Sequence, residues 1–457
     1  MEIIEKYLET VVKKQKFWLI LITLAILIIP LFTSLILGKS LFSDPESYYH
    51  LNEAKNFNWR NLEYFPLTLA LKLLPFNFLI IIPLVLACLS ILLLRQLFEE
   101  NKLPPEMSFL FLVFTIISPT FILSFSNFTQ SSYFIFLLVF GLYLLSRNRI
   151  TLRIIGILPL LIITFLNGFS SVLLILILTI YFWAFKRLNK QLIYLLTLIF
   201  LSFIFNMVFL RKDFFMTTLT NNQHLTNLIA ALGGTSGISF LVILLALVGL
   251  VVTWRKSYFY KSYLFLPLFA VAYFYNNRAI FLLSLIINFF ASIGFLKIFQ
   301  RPWILKEIKK YTFLLIILGL LFTTISYLDR SSSSGPLAGD KEVLTWIKDN
   351  TLSDAIIFSD PVDSQPVKFF SDRPVFYLIY KDRSYSERLS EEIFSATYIS
   401  DYQKIASDSR ISLFYITPRL REKLPSEQGL LFLLRSETFK LVHSSNGFEV
   451  WAYNGNN

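Results

Sequence analysis

Long apolar stretches, repeated along the first 330 residues, limit most strongly what this chain can fold into. About 20 apolar residues span a bilayer as a helix, and about 17 suffice at the short end. Only 16% of the residues are charged and 55% are hydrophobic, whereas an average soluble domain is roughly 25% charged. The sequence therefore predicts a polytopic α-helical membrane protein with about eleven transmembrane helices. The predicted spans are 17–37, 76–98, 106–123, 130–146, 151–166, 169–187, 190–210, 238–254, 261–275, 279–299 and 311–328.

The positions of Lys and Arg predict the orientation of these spans. Cytoplasmic connections are enriched in both residues. Alternate connections hold 20 Lys and Arg on one side of the membrane and seven on the other. The N-terminus is therefore predicted to be cytoplasmic and, because eleven is odd, the C-terminal domain extracytoplasmic. The net charge of +12 follows mostly from this topology, so we expect no nucleic-acid partner.

Three parts of the chain are predicted to share the outer side: loop 38–75, loop 211–237 and the region after 329. We divide the chain into a transmembrane domain (1–329), a Ser-rich flexible linker (330–340) and a small α/β domain (341–457). Alternation and composition predict helices or strands in the last of these. The predicted helices are 341–350, 386–394 and 402–407, and the predicted strands are 355–358, 375–380, 413–417, 439–442 and 448–452.

The first outer loop contains two acids that have both a structural and a chemical interpretation. Asp44 is a good N-cap, Pro45 suits the first helical position and Glu46 suits the positive helix end. Tyr48 and the apolar residues at three-residue spacing after it predict an amphipathic helix lying on the membrane surface. Alternatively, Asp44, with an ordinary pKa of about 4 and full ionisation at neutral pH, acts as a general base toward a hydroxyl. A third alternative is that the two acids hold Mg²⁺ or Mn²⁺, since carboxylate oxygens suit such cations.

The loop also resembles a known family. An outer loop after the first span that carries Asp-Pro-Glu-Ser-Tyr-Tyr-His at 44–50 looks like the GT-C superfamily of membrane glycosyltransferases. This superfamily includes protein O-mannosyltransferases, lipid A aminoarabinose transferases and the oligosaccharyltransferase catalytic subunit. The resemblance implies that Asp44 is the catalytic acid, that Glu46 is its partner and that the donor is a sugar on a polyprenyl phosphate or diphosphate.

Further positions match the family in place. Arg278 lies at the outer end of a late span, where family members have an arginine that meets the lipid phosphate, although a snorkelling arginine is the alternative. Tyr49 and His50 of the first loop, with Arg211 and His224 of the second long loop, are further candidates for contact with substrate. The glycines at 233–237 suggest that the second loop is a mobile lid, with an ordinary solvated loop as the alternative.

Two departures argue against peptide N-glycosylation and against metal dependence. The chain has no Trp-Trp-Asp-Tyr-Gly segment, and the connection 124–129 has no acid, whereas oligosaccharyltransferases have a metal-binding acidic pair there. We therefore expect a monosaccharide transferase that uses a polyprenyl-phosphate sugar and an acceptor glycan, lipid or protein. The alternatives are oligosaccharyltransferase-like transfer to protein, a transporter or lipid flippase, and a non-catalytic membrane scaffold.

Overall fold

The structure, a computed structural model, divides into two compact units. It describes residues 14–57, 64–147, 149–166, 168–184, 190–208, 228–230, 237–254, 256, 260–276, 279–333, 335–379, 383–400, 403, 405, 409–425 and 428–453. The first unit, here called the membrane unit, comprises Met1–Thr33 and Asn58–Ser333. The second, here called the C-terminal unit, comprises Ser34–Phe57 and Ser334–Asn457. The beginning of the first outer loop thus belongs to the same unit as the distant C-terminus.

The membrane unit is helical throughout its described parts. Helix α1 spans Gln15–Ile36, and helix α2, Pro45–Lys55, lies in the C-terminal unit. A 3-10 turn, Phe76–Ile80, leads into α4. The remaining helices are α3 (Phe65–Leu73), α4 (Ile81–Glu100), α5 (Pro105–Ile116), α6 (Pro119–Ser126), α7 (Gln130–Ser146), α8 (Ile150–Leu166), α9 (Gly168–Ala184), α10 (Lys190–Val208), α11 (Phe240–Thr253), α12 (Tyr260–Tyr275), α13 (Ile280–Gln300) and α14 (Lys306–Ser333).

Each of the predicted spans coincides with an apolar helix or a helix pair. Among the described residues, four helices are long and apolar enough to cross a membrane, and a fifth crossing results if α5 and α6, bent by 61°, form one broken span. Six further apolar helices are 10 to 17 residues long. The chain is therefore an integral membrane protein, and the number of eleven crossings stays a prediction.

The burial pattern of these helices fits a lipid environment. Large apolar side chains such as Val251, 76% exposed, and Phe322, 73% exposed, point away from the protein, which is stable only where the solvent is apolar. Inside, α11 and α13 approach very closely. A Cβ atom added to Gly249 would lie 2.0 Å from the Phe290 carbonyl oxygen, and one added to Gly294 would lie 2.0 Å from the Leu245 carbonyl oxygen. Small residues at this contact let the two backbones touch.

The C-terminal unit contains a four-stranded mixed sheet covered by helices. Parallel strands β1 and β2 form one side, and the antiparallel hairpin β3–β4 joins the sheet through β4, giving the order β1-β2-β4-β3. Asn446 and Gly447 both have positive φ at the hairpin turn, as its sequence predicts. The elements are α15 (Ala338–Asn350), β1 (Ile356–Phe358), α16 (Ser364–Ser371), α17 (Phe376–Ile379), α18 (Arg383–Ser395), β2 (Ile411–Ile416), α19 (Pro418–Lys423), α20 (Leu430–Leu433), β3 (Phe439–Ser445) and β4 (Phe448–Tyr453).

One predicted strand of this unit is wrong. Within this run, Phe376–Ile379 form the short helix α17, and Val375 makes a strand-like bridge to Ile357. A short continuous apolar run has neither helical nor strand periodicity, so sequence alone does not separate the two. The predicted helix 402–407 lies mostly outside the described residues.

The connection between the two units is shorter than the predicted linker 330–340. Helix α14 continues to Ser333, and α15 begins at Ala338. Between them, Leu337 forms an antiparallel bridge with Lys39, and the backbone N–H of Ser40 donates to the Pro336 carbonyl at 2.9 Å. The segment after Gly335 therefore pairs with the first outer loop.

Candidate functional site

Asp44 caps helix α2, as the sequence predicts. Its backbone is extended, with φ −98° and ψ 128°, the conformation that Pro45 favours in the residue before it. Its Oδ1 accepts a hydrogen bond from the backbone N–H of Glu46 at 3.0 Å. The carboxylate is thus fixed at the positive end of the helix, where a negative charge is stabilised.

The electrostatics of Asp44 differ from the sequence-based expectation of full ionisation. Burial, as the largest cause, and the negative charge of Glu46 together raise the pKa of Asp44 to about 7, although the hydrogen bond from the Glu46 backbone N–H lowers it. A carboxyl group with this pKa is only partly ionised at neutral pH. When it is ionised, it is a stronger base than an ordinary aspartate, and its pKa matches the working pH of a general base.

Glu46 and His50 form a second polar pair one helical turn apart. The His50 Nε2 lies 3.3 Å from Glu46 Oε1. His50 is buried, and Glu46 keeps about a third of its side chain exposed. The ring of Tyr49 contacts that of His50 edge-on, with centroids 5.3 Å apart. His50 is therefore placed to orient Glu46, and its ring is buried rather than exposed to solvent.

The described residues do not assemble a metal site. No three His, Cys, Asp or Glu side chains within them lie close enough to hold one ion. Asp44 and Glu46 supply two carboxylates, whereas Mg²⁺ and Ca²⁺ take six or more oxygen ligands.

Helix α2 is held against helix α16 by an apolar face. Tyr48, Leu51 and Ala54 are fully buried, and the Tyr48 ring packs against Phe369 and Phe370, with centroids 5.8 and 5.6 Å away. The three-residue spacing predicted this apolar face, but the prediction that it lies on the membrane surface is wrong. It is covered by a helix more than 300 residues later in the chain.

A cleft in the membrane unit was not predicted from the sequence. Three helices begin at it: Gln130 is the first residue of α7, Ser170 lies in the first turn of α9, and Phe281 in the first turn of α13. The Gln130 side chain donates to the Leu166 carbonyl at 2.6 Å. The cleft is small, about 20 Å³, and its lining is mostly apolar, with Phe134, Leu173 and Leu282 beside the polar Gln130 and Ser170. The Thr129 cap of α7 was the available sequence signal.

Three of the predicted site residues lie outside the described residues. These are Arg278, two positions before α13, and Arg211 and His224 of the second long loop. Their roles remain predictions. The connection 124–129, by contrast, is described and is lined by buried neutral polar groups, Ser124, Ser126, Asn127 and Thr129. An acidic pair is absent from this connection, as the sequence itself shows.

Comparison with known proteins gives matches in structure only. No protein-family model matches the chain, and no curated protein matches it significantly in sequence. Several solved structures of an oligosaccharyltransferase from Archaeoglobus fulgidus are similar in fold. The complex with Zn and sulfate is 11% identical, with a TM-score of 0.59 over 94% of this chain and 79% of that one.

Two further structures of the archaeal protein are also similar in fold to this chain. The form tethered to an acceptor peptide containing the NVT sequon is 13% identical, with a TM-score of 0.53 over 86% of this chain and 69% of that one. The complex of AglB with an inhibitory peptide and a dolichol-phosphate is 12% identical, with a TM-score of 0.52 over 96% and 74%. The expected resemblance to an oligosaccharyltransferase is thereby confirmed at the level of the fold, which this chain shares with the archaeal protein.

Proposed function

We propose that this chain is a membrane glycosyltransferase that moves a sugar from a polyprenyl-phosphate-linked donor to an acceptor on the extracytoplasmic side. The observation that carries the proposal is Asp44, a half-buried carboxyl group with a raised pKa, fixed at the start of the first outer helix on a GT-C-like fold. A buried acid with a shifted pKa is typical of a functional site.

The reaction requires one proton transfer and one exchange of bonds. The acceptor hydroxyl gives its proton to the ionised Asp44 carboxylate as its oxygen bonds to the anomeric carbon of the donor sugar. The bond from that carbon to the phosphate oxygen breaks, and the polyprenyl phosphate leaves with the electron pair. Glu46, held by His50 at 3.3 Å, raises the basicity of Asp44 through its charge. This pair therefore acts as the base and its tuning partner.

The departing phosphate needs positive charge where it accumulates. Arg278 precedes α13 by two positions in the sequence. A guanidinium fits two phosphate oxygens at once. We therefore propose that Arg278 meets the donor phosphate, as the resemblance to the GT-C superfamily implies. Under the predicted topology, with N-terminus cytoplasmic, the beginning of α13 is at the outer side.

The acceptor is the open part of the proposal. Solved structures of the fold include an oligosaccharyltransferase with an acceptor peptide and one with a dolichol-phosphate, which keeps transfer to protein as an alternative. The connection 124–129 without acids and the missing acceptor-binding segment favour a simpler monosaccharide transfer. A divalent cation at Asp44 and Glu46, completed by ligands from elsewhere, is tested by measuring transfer with and without a chelator.

The decisive experiment follows labelled sugar from donor to product. Purified protein in nanodiscs is given a panel of polyprenyl-phosphate sugars, and the label is sought in lipid, peptide and glycan fractions of added membranes. The expected result is transfer by the wild-type chain and none by the Asp44→Asn variant. Label that stays on every donor, with folded protein, would reject a glycosyltransferase.

A further inference from the structure

We propose that contacts within the C-terminal unit position the Asp44 carboxylate for sugar transfer. Tyr48, Asn52 and Gly335 make these contacts and are therefore positioning residues. The inference rests on the proposed function and deepens it. It gives a catalytic consequence to the part of this unit after residue 334, in which the sequence predicts no catalytic side chain. The contacts that carry it all lie within one compact unit.

Tyr48 ties the backbone before Asp44 to the helix after it. Its hydroxyl donates to the Phe42 carbonyl at 3.2 Å and also meets the Ser40 hydroxyl. The loop from Ser40 to Asp44 is therefore closed over the Tyr48 side chain, whose ring is in turn held between α2 and α16. Displacement of this ring would move the loop that ends at Asp44.

Asn52 makes the polar contact between α2 and α16. It is buried, and its Nδ2 donates to both the backbone carbonyl and the side-chain oxygen of Gln365, each at 3.2 Å. An asparagine with this geometry fixes the rotation of one helix against the other. Buried hydrogen bonds of this kind are costly to break because they leave a partner unsatisfied.

Gly335 lets the chain before α15 pass close to the loop. A Cβ atom added there would lie 3.0 Å from the Ser43 Cα and 3.4 Å from the Ser43 Cβ. Ser43 is the residue directly before Asp44. An alanine at 335 would therefore push the backbone that presents the carboxylate by a few tenths of an ångström.

Another contact between α2 and the chain around α16 provides a matched control, because we do not expect it to position Asp44. The Lys55 ammonium pairs with Asp372 at 2.7 Å, but both side chains are substantially exposed. Exposed ion pairs contribute little. Lys55→Ala therefore removes a contact of the same interface without disturbing the buried part, and it serves as the control.

The test compares Tyr48→Phe, Asn52→Ala and Gly335→Ala with Lys55→Ala in the full-length protein. Kinetics with a donor that the wild type uses are measured together with amide hydrogen exchange over residues 44–52. Misplacement of a reacting group by about 1 Å costs up to 100-fold in rate. We expect kcat to fall about 10- to 100-fold in the first three variants and the donor KM to stay within about twofold. Exchange should be faster over 44–52 but unchanged in β2 and β4.

The outcomes separate this inference from the proposed function. Wild-type kcat in all three variants, or slowed transfer with unchanged exchange over 44–52, would overturn the positioning role. Equal losses in Lys55→Ala would show a general weakening of the unit and overturn it as well. If the wild-type chain transfers sugar from no donor, the proposed function fails, and unchanged exchange in the three variants would then overturn the positioning role too.

Discussion

A single carboxylate serves both the fold and the proposed chemistry. Asp44 accepts the hydrogen bond that starts helix α2, and the same oxygen atoms lie in the environment that raises its pKa. The two roles respond differently to substitution, since capping needs a hydrogen-bond acceptor and general base catalysis needs an ionisable group. Asparagine retains the first property and lacks the second.

Asp44→Asn should abolish transfer without unfolding the protein. Loss of a general base typically lowers a rate by about 100-fold or more, whereas asparagine caps a helix about as well as aspartate. The measurement is turnover at saturating donor and acceptor, with hydrogen exchange of α2 as the control for folding. Wild-type turnover in this variant would leave only the capping role. Glu46→Gln should slow transfer less, because Glu46 acts through Asp44.

The rate should depend on pH through Asp44. Because burial and Glu46 raise its pKa to about 7, the basic form is scarce at low pH, so kcat should rise about tenfold per pH unit below 7 and level off above it. Folding stability changes with pH in the opposite direction. Because the folded state favours the protonated form of Asp44, its contribution to folding stability falls as the pH rises from about 4 to 7.

A pH–rate profile from 5 to 9, recorded with and without a chelator, checks this expectation. A flat profile across pH 7 would contradict Asp44 as the base. A midpoint that drops when a divalent cation is added would instead indicate that the carboxylates ligate the metal, since a nearby cation favours the ionised form.

At the scale of helices, Arg278 precedes α13 by two positions in the sequence, where the proposed function has it meet the donor phosphate. Arg278→Ala should raise the donor KM or lower kcat/KM, and Arg278→Lys should restore only part of it, because the bidentate fork is lost. A snorkelling arginine would accept Lys with no change in kinetics. Normal kcat/KM in both variants would contradict a phosphate contact.

Helix boundaries and helix contacts were predictable from the sequence to different degrees. The Asp-Pro-Glu start of α2, its apolar spacing and the Asn446-Gly447 turn are local signals, and the structure has all three. The helix that covers this apolar face was not predictable, because α16 lies more than 300 residues later in the chain. Nothing in the local sequence around Phe369 and Phe370 indicates that they pack against α2. The raised pKa of Asp44 comes mainly from burial, and the residues next to an acid in the sequence do not show how deeply the fold buries it.

At the scale of the whole molecule, the orientation in the membrane rests on the distribution of basic residues. In a Cys88→Ser background, single cysteines replacing Lys256 and Lys440 should be labelled by an impermeant reagent from opposite sides, with Lys440 labelled from outside. Labelling of both from one side would contradict the predicted topology and with it the placement of the proposed chemistry. Substitution of exposed Lys440 in β3 leaves the sheet intact.

The union of residues 34–57 with the C-terminal unit also has a consequence for how the protein is made. The loop with Asp44 leaves the ribosome about 310 residues before its partner helix α16, and at about 5–20 residues per second this gap lasts tens of seconds. During that interval α16 does not yet cover the apolar face of α2 that contains Tyr48 and Leu51. The two acids are therefore assembled into a site only when nearly the whole chain has been synthesised and its C-terminus has reached the same side. A chain that is truncated after the last membrane helix should insert normally and yet be inactive, although it retains every proposed catalytic residue.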